Sequence, residues 1–560
     1  MVFSSIKTAL LVTGCLLCAF PARSQELDLI IRNGHIIDGT GSPWYSGDLG
    51  ISMGRIVRIG LLGNQRAKRV IDVHGLTVAP GFIDMLGQSE ISMLVDPHVP
   101  SKIFQGITTE ITGEGSSVAP TTPKLLAEDG PAFEHYGIDA HWTSLDEYFH
   151  QLELHGMGIN LASYVGATQV RRVVLGEIDR APSAAELERM KALVREAMQQ
   201  GAMGLSTSLQ YAPAPYATTG ELIALASEAA KLGGIYATHM RSEGDAIDSA
   251  LDEAFRIGRE ALIPVEIWHL KVAGKQNWGR MPEVVDRIEA ARRQGIDVEA
   301  DTYAYTAWFN SFSAFVPPWV HDGGAASMVA RLRDLATRTR IRNQMLSDRS
   351  GWDNEWLEVP GPQAILVSVV TNAKLLPLQG KTIAQIAKAQ GKDPIDAIFD
   401  LLIEDPGISV AVFGMSEQDV SYALKQPWVS VDNDSQGTSP EGVLGREHPH
   451  PRAYATFPHI LRKYVREEKL LTLQDAIRKF SALPAQRMRL ADRGVLKTGM
   501  WADVVIFDPA SIRDVATFEK PNQLSVGMEY VLVNGIPVIE QGKMTQALPG
   551  KVLRSIKPAL

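Results

Sequence analysis

The chain has 560 residues, 45% hydrophobic and 21% charged, with a net charge of −9 and a pI near 5.9. That length exceeds one ordinary core, and the balance is that of a soluble globular enzyme. The acidic surplus argues against nucleic acid or an anionic membrane surface as partner. Past residue 25 there is no apolar run of the roughly 18 residues needed to span a bilayer.

Residues 1–24 read as a targeting segment rather than fold. Lys7 supplies a positive start, Ala9 to Phe20 an apolar core, and Ala22-Arg-Ser24 the small residues a signal peptidase reads, so cleavage before Gln25 and a periplasmic or secreted location are expected. Both cysteines, Cys15 and Cys18, fall inside this segment, which leaves the mature chain without a thiol and excludes a disulfide scaffold or a thiolate metal site. The competing reading makes Val12-Thr-Gly-Cys15 a lipidation box, against which Leu16 and Leu17 count.

The mature sequence opens with alternating runs around Asn33-Gly34, read as a hairpin signal, and a further β-rich stretch from Gly47 to Gly60. Residues 499–508 and 531–539 repeat the style, with a second Asn-Gly at Asn534. The two ends, 25–79 and 485–556, are expected to build one small β-sandwich around a central domain, 80–484. That centre alternates strand and helix signals, with strands ending near Met85, Thr112, Tyr164, Ser206, His239, Trp268, Asp301 and Asp432 and helices such as Ala185 to Gln200 between them. Eight such units predict an α/β fold closed as a (β/α)8 TIM-like barrel. The interval 305–425 holds extra elements, including Ile365 to Val370, and is expected to be an inserted lid or subdomain.

Two strands carry the chemistry. Gly234-Ile-Tyr-Ala-Thr-His239 and Ile263-Pro-Val-Glu-Ile-Trp-His269 are short apolar runs ending in a histidine, where such barrels place their sites, so the two rings could meet on one metal ion.

Val78-Ala-Pro-Gly-Phe-Ile-Asp84, Thr238-His-Met-Arg241, Trp268-His-Leu-Lys271 and Arg493 to Asp503 resemble the amidohydrolase superfamily. Within it, Gly204 to Pro213, Asn277-Trp-Gly-Arg280 and His450-Pro-Arg452 are similar to the N-acyl-D-amino-acid deacylases, and the likeness runs from about residue 27 to 556. The resemblance implies a metal-dependent hydrolase on a distorted barrel with a split β-sandwich. It also carries a departure: where the family's first strand ends in His-x-His, this chain has Leu86-Gly-Gln88, so the metal site using that pair is expected to be absent. The family's bridging cysteine is replaced by Glu114, one position early, with Glu110 nearby at mid-strand. Carboxylate oxygen is an acceptable zinc ligand, and three protein ligands with an open position make a usual catalytic site. By analogy with deacetylases of the superfamily that use Glu, His and His, the resemblance implies a single zinc on Glu114, His239 and His269.

Hydrolysis also needs a base, and Asp434 matches the strand-eight aspartate of the family, with Asp432 as the alternate. Recognition of the substrate carboxylate needs cations. Lys271 lies two residues past a ligand on the same face, Arg452 can offer a bidentate fork, Tyr211 matches the family's pocket tyrosine, and Tyr303 and Tyr305 are further lining candidates. His448 and His450 could form a second metal site, but proline spacing enforces no such geometry, and the remaining histidines read as surface or core. The expected partner is a small-molecule N-acyl amino acid, and the resemblance implies the D configuration. A dipeptidase, a cyclic-amide hydrolase and a catalytically silent binding protein remain alternatives.

Overall fold

The computed structural model describes residues 26–349 and 351–555; the targeting segment read at 1–24 lies outside them. Eight strands carry the centre: Phe82–Asp84, Ile107–Thr112, Asn160–Ser163 (resuming at Val165–Gly166), Gly204–Ser208, Ile235–His239, Val265–Ile267, Val298–Thr302 and Val429–Val431. All neighbouring pairs are parallel. The pairing runs as a three-stranded and a six-stranded sheet. They are joined at Tyr164, whose N–H donates to Thr112 O (2.9 Å), and at Met85, whose N–H reaches Val431 O at 3.5 Å. Nearly every strand residue is buried, as both faces of a parallel sheet require when helices cover one and side chains fill the other.

The helices follow from caps and period. Ser183 and Glu186 form a capping box on Ala184–Gln199, while Ile247–Ala261 buries Ile247, Leu251, Ala254 and Gly258 along one stripe. None of the described helices is long and apolar enough to cross a membrane.

The two chain ends share one nine-stranded sheet folded around a separate core that includes Leu29, Ile51, Ile71, Val504 and Leu532. The Asn-Gly hairpin expected at residue 33 is not one: Leu27–Ile36 is a single strand, and Asn33-Gly34 is a bulge in its pairing with Tyr45–Ser52. Asn33 takes a left-handed φ of 59° and donates its side-chain amide to Asp72 (2.9 Å), while Asp48 accepts its N–H (2.9 Å), so its partners lie on neighbouring strands rather than across a turn. Asn534-Gly535 does turn a hairpin, with Val533 opposite Ile536 and φ of 50° and 82°.

The sheet of the chain ends feeds directly into the barrel. Thr77–Pro80 pairs with Val504–Phe507, and one residue later the chain is barrel strand Phe82–Asp84. Gly81 permits that close passage, because a Cβ there would lie 2.2 Å from Thr108 Oγ1. Arg487 bolts the other crossing, pairing with buried Glu266 and with Asp297, each at 2.8 Å.

The interval between Thr302 and Val429 is a subdomain with its own antiparallel sheet, Ser409–Val412 flanked by Trp308–Ser311 and Ile365–Val367, and five helices of eight residues or more. It overhangs the carboxyl ends of the barrel strands and supplies part of the cavity wall.

Candidate active site

Glu114, His239 and His269 converge at the carboxyl ends of three barrel strands, and their ligand atoms all lie within 4.8 Å of one another. His239 Nδ1 is 3.2 Å and His269 Nε2 3.8 Å from Glu114 Oε1, and the imidazole centroids are 4.6 Å apart. Ligands about 2.0–2.1 Å from a tetrahedral ion stand roughly 3.3–3.4 Å from each other, close to this spacing. His269 sits at φ 38° and Asp434 at φ 44°. Such left-handed backbone costs of order 1–3 kcal/mol for a residue with a Cβ and persists only where surroundings enforce it. For His269 the enforcement is visible: its backbone N–H donates to buried Asp301 at 2.5 Å.

The surrounding groups settle which imidazole nitrogen faces the centre. Gln210 turns its amide nitrogen to Glu355 (3.3 Å), so its oxygen, 2.8 Å from His239 Nε2, accepts from that nitrogen and leaves Nδ1 unprotonated toward Glu114. His269 turns Nε2 toward Glu114 and Nδ1 toward the Glu243 carboxylate, 3.0 Å away, so Nε2 is the atom the ring offers to the centre. Glu243 is itself held by Lys271, 2.7 and 2.8 Å away, whose ammonium also lies 2.7 Å from His269 Nδ1.

The electrostatics fit a cation at this point. Burial and the Lys271 ammonium both push His269 down, yet Glu243, Asp434 and Glu114 raise it to about 10. Burial raises Glu114, and the two imidazoles override it and hold the carboxylate well below its usual range. A carboxylate with two imidazoles and an open side is a donor set that zinc satisfies.

Asp434 lies across the same cavity, its carboxyl raised chiefly by burial and opposed by Arg452, whose Nη2 is 2.9 Å from Oδ2. Gln88 joins the two sides: its amide nitrogen donates to Glu114 Oε2 (2.7 Å) and to Asp434 Oδ1 (3.1 Å). Asp432 is fully buried against Asp301 instead; burial pushes it up to about 7 and also raises Asp301, Asp432 adding to the latter.

The cavity is lined by Glu114, His239, His269, Asp434, Lys271 and Tyr211 together with residues of the subdomain. The other residues singled out in the sequence stand behind that wall. Arg452 is 1% exposed, with its guanidinium 4.5 Å from the Tyr303 ring, and Tyr305 stacks on His459 at 4.7 Å. His450 is engaged at both nitrogens, with the Arg452 N–H (3.0 Å) and Ala307 O (3.2 Å), and His448 bonds Phe518 O (2.7 Å), so they form no second cluster. Among the described residues, Glu114, His239 and His269 are the one such cluster able to hold a metal.

Sequence reasoning passed over Glu243, Gln210 and the function of Gln88. Gln88 occupies the position of the second histidine in the expected His-x-His, and Glu243 follows His239 by four residues; that spacing and that replacement were the available signals.

The chain is similar to proteins of known activity along nearly its whole length. D-aminoacylase of Alcaligenes xylosoxydans xylosoxydans is 35% identical, covering 95% of this chain and 98% of its own. N-acyl-D-glutamate deacylase of the same organism is 33% identical over 95% and 97%. Among solved structures, N-acyl-D-glutamate deacylase from Bordetella bronchiseptica, complexed with zinc and a phosphonate mimic of the tetrahedral intermediate, superposes with a TM-score of 0.79 at 32% identity, covering 95% of this chain and 100% of that one. A D-aminoacylase described as having a binuclear metal centre, activated by one metal and attenuated by the second, gives 0.79 and 32% over 94% and 100%. The model of the amidohydrolase family matches residues 69–539, and on that match together with these relatives the chain belongs to the amidohydrolase family.

Proposed function

We propose that this protein is a zinc-dependent hydrolase that cleaves the amide of an N-acyl-D-amino acid. The observation that carries it is the juxtaposition of the Glu114, His239 and His269 cluster with Asp434 across one cavity, in a chain whose relatives over 95% of its length are D-aminoacylases and N-acyl-D-amino-acid deacylases. Glu114, His239 and His269 would hold the ion, which when bound would polarise the scissile carbonyl and lower the pKa of water to about 7. Asp434 accepts the proton of the attacking water and returns it to the leaving nitrogen. Gln88 and Arg452 keep its two oxygens in place for both transfers.

Lys271 and Tyr211 line the cavity beside the substrate, Lys271 with its ammonium already paired to Glu243. Arg452, Tyr303 and Tyr305 act from behind, by fixing Asp434 and the cavity floor. With Leu86 and Gln88 in place of a histidine pair, one zinc per chain is the working complement. The reading of residues 1–24 as an export signal supports a periplasmic or secreted location.

The test is metal analysis of purified protein together with hydrolysis of N-acetyl-D-amino acids, their L forms and dipeptides. One zinc per chain and turnover of D compounds, with their L forms untouched, is the expected result. A metal-free protein that gains no activity on adding zinc overturns the proposal.

A further inference from the structure

The cavity wall contributed by the subdomain carries two carboxyl groups, Asp353 and Glu358, and no basic side chain. Glu358 is 3% exposed, faces the cavity, and receives no hydrogen bond or ion pair from any described residue. Its carboxyl packs over the backbone of Gly244, where an added Cβ would lie 2.0 Å from Oε1 and 3.6 Å from Asp353 Oδ1, so the two carboxyls sit close together beside this glycine and a side chain there would displace Glu358. Asp353 is held by neutral donors, Ser242 Oγ at 2.5 Å and the Glu243 N–H at 2.8 Å, not by a cation. The basic side chains nearby are spent elsewhere: Lys271 on Glu243, Arg241 on Glu253 at 2.8 Å and Arg349 on Asp245 at 2.7 Å. A buried carboxyl without a partner is costly, and it is retained where a ligand completes it. Trp308 and Phe309 line the same cavity and offer apolar surface for an aliphatic stem leading to that point.

We infer that Glu358, with Asp353 beside it, receives a cationic group of the substrate, an ammonium or guanidinium carried by the N-acyl-D-amino acid. The inference rests on the deacylase reading and adds to it the charge class of the substrate. The cation can sit on the side chain of the D-residue, as in lysine, ornithine or arginine, or on the acyl portion, as in a dipeptide with a free amine.

Zinc-loaded mature enzyme is assayed on N-acetyl-D-lysine, N-acetyl-D-arginine, uncharged N-acetyl-D-norleucine, N-acetyl-D-glutamate and glycyl-D-norleucine. A charge pair formed in a desolvated pocket gives the cationic compounds an advantage of about tenfold or more in kcat/KM over norleucine. Preference for the lysine and arginine compounds locates the cation on the side chain, and preference for glycyl-D-norleucine locates it on the acyl side. Glu358→Gln is expected to abolish the preference mainly through KM, and Gly244→Ala, which leaves Glu358 intact but crowds its carboxyl, is expected to reduce it. Turnover of norleucine or glutamate compounds as good as that of every cationic one overturns the inference and leaves the deacylase reading standing. No turnover of any compound overturns both.

Discussion

Replacing Glu243 by glutamine tests how the imidazoles are held. Glu243 is 6% exposed, and its carboxylate is drawn well below the usual range against the cost of its burial, first by Lys271 and then by His239 and His269. The amide keeps the shape but loses the charge that orients His269 Nδ1, and removing such an outer partner costs roughly 10- to 100-fold in metal affinity. In free energy that is about 1.4–2.8 kcal/mol. The substitution also strips the buried Lys271 of its counter-ion, and breaking a buried pair from one side destabilises by about 3–5 kcal/mol. These two consequences separate in the double variant Glu243→Gln, Lys271→Met. Its zinc-free form is expected to regain most of the lost thermal stability, since no unpaired ammonium remains, while its zinc affinity stays low. Competition with a chromogenic chelator reads the affinity, and thermal unfolding of the zinc-free protein reads the stability. Zinc affinity of Glu243→Gln equal to that of the parent would refute the reasoning, because His269 would then be oriented by something other than this carboxylate.

Gln88→Leu removes both amide hydrogen bonds that tie Glu114 to Asp434. It is expected to lower kcat by about tenfold or more while the chain still binds one zinc, since unpaired polar groups cost about 1–3 kcal/mol each; unchanged kcat counts against the bridge. Asp434→Asn should cut kcat by roughly 100- to 10,000-fold with zinc content intact, the usual worth of a proton-transfer group, and a variant of near-normal activity would shift the role to Asp432. Burial pushes Glu355 up to about 8. Its folded pKa lies above the unfolded value of about 4.3, so its contribution to stability is full below that value and is lost as pH rises toward 8. Glu355→Gln should therefore show a smaller fall in melting temperature than the parent between pH 5 and 8, and parallel curves would argue that the carboxyl is not held protonated.

Barrel geometry was readable because strand and helix periods differ and the strands are buried on both faces. Ile235-Tyr-Ala-Thr-His239 and Val265-Glu-Ile267 could be placed from their apolar runs alone, and their terminal histidines came with them. Asn33-Gly34 shows the limit of local signals. The same dipeptide makes a hairpin at Asn534 and a bulge at Asn33, and the difference lies in Asp48 and Asp72, which arrive from other strands. No window around residue 33 contains that information.

The same asymmetry explains which parts of the site stayed hidden. A ligand at a strand end is fixed by its own strand, so position along the chain is enough to nominate it. A residue such as Gln88 has its role defined by two partners, 26 and 346 positions away, and becomes meaningful only once the barrel has closed. Its chemistry also differs from what it replaces. A histidine there would offer a lone pair to a second cation, whereas the amide nitrogen offers hydrogens to two carboxylates. The exchange turns a point that would attract a second positive charge into one that already satisfies Glu114 Oε2 and Asp434 Oδ1. On this argument the loss of the histidine pair simplifies the site without disabling it: the negative charges that a second metal would have offset are met by Gln88 and Arg452, and the three residues able to hold a first metal are left untouched.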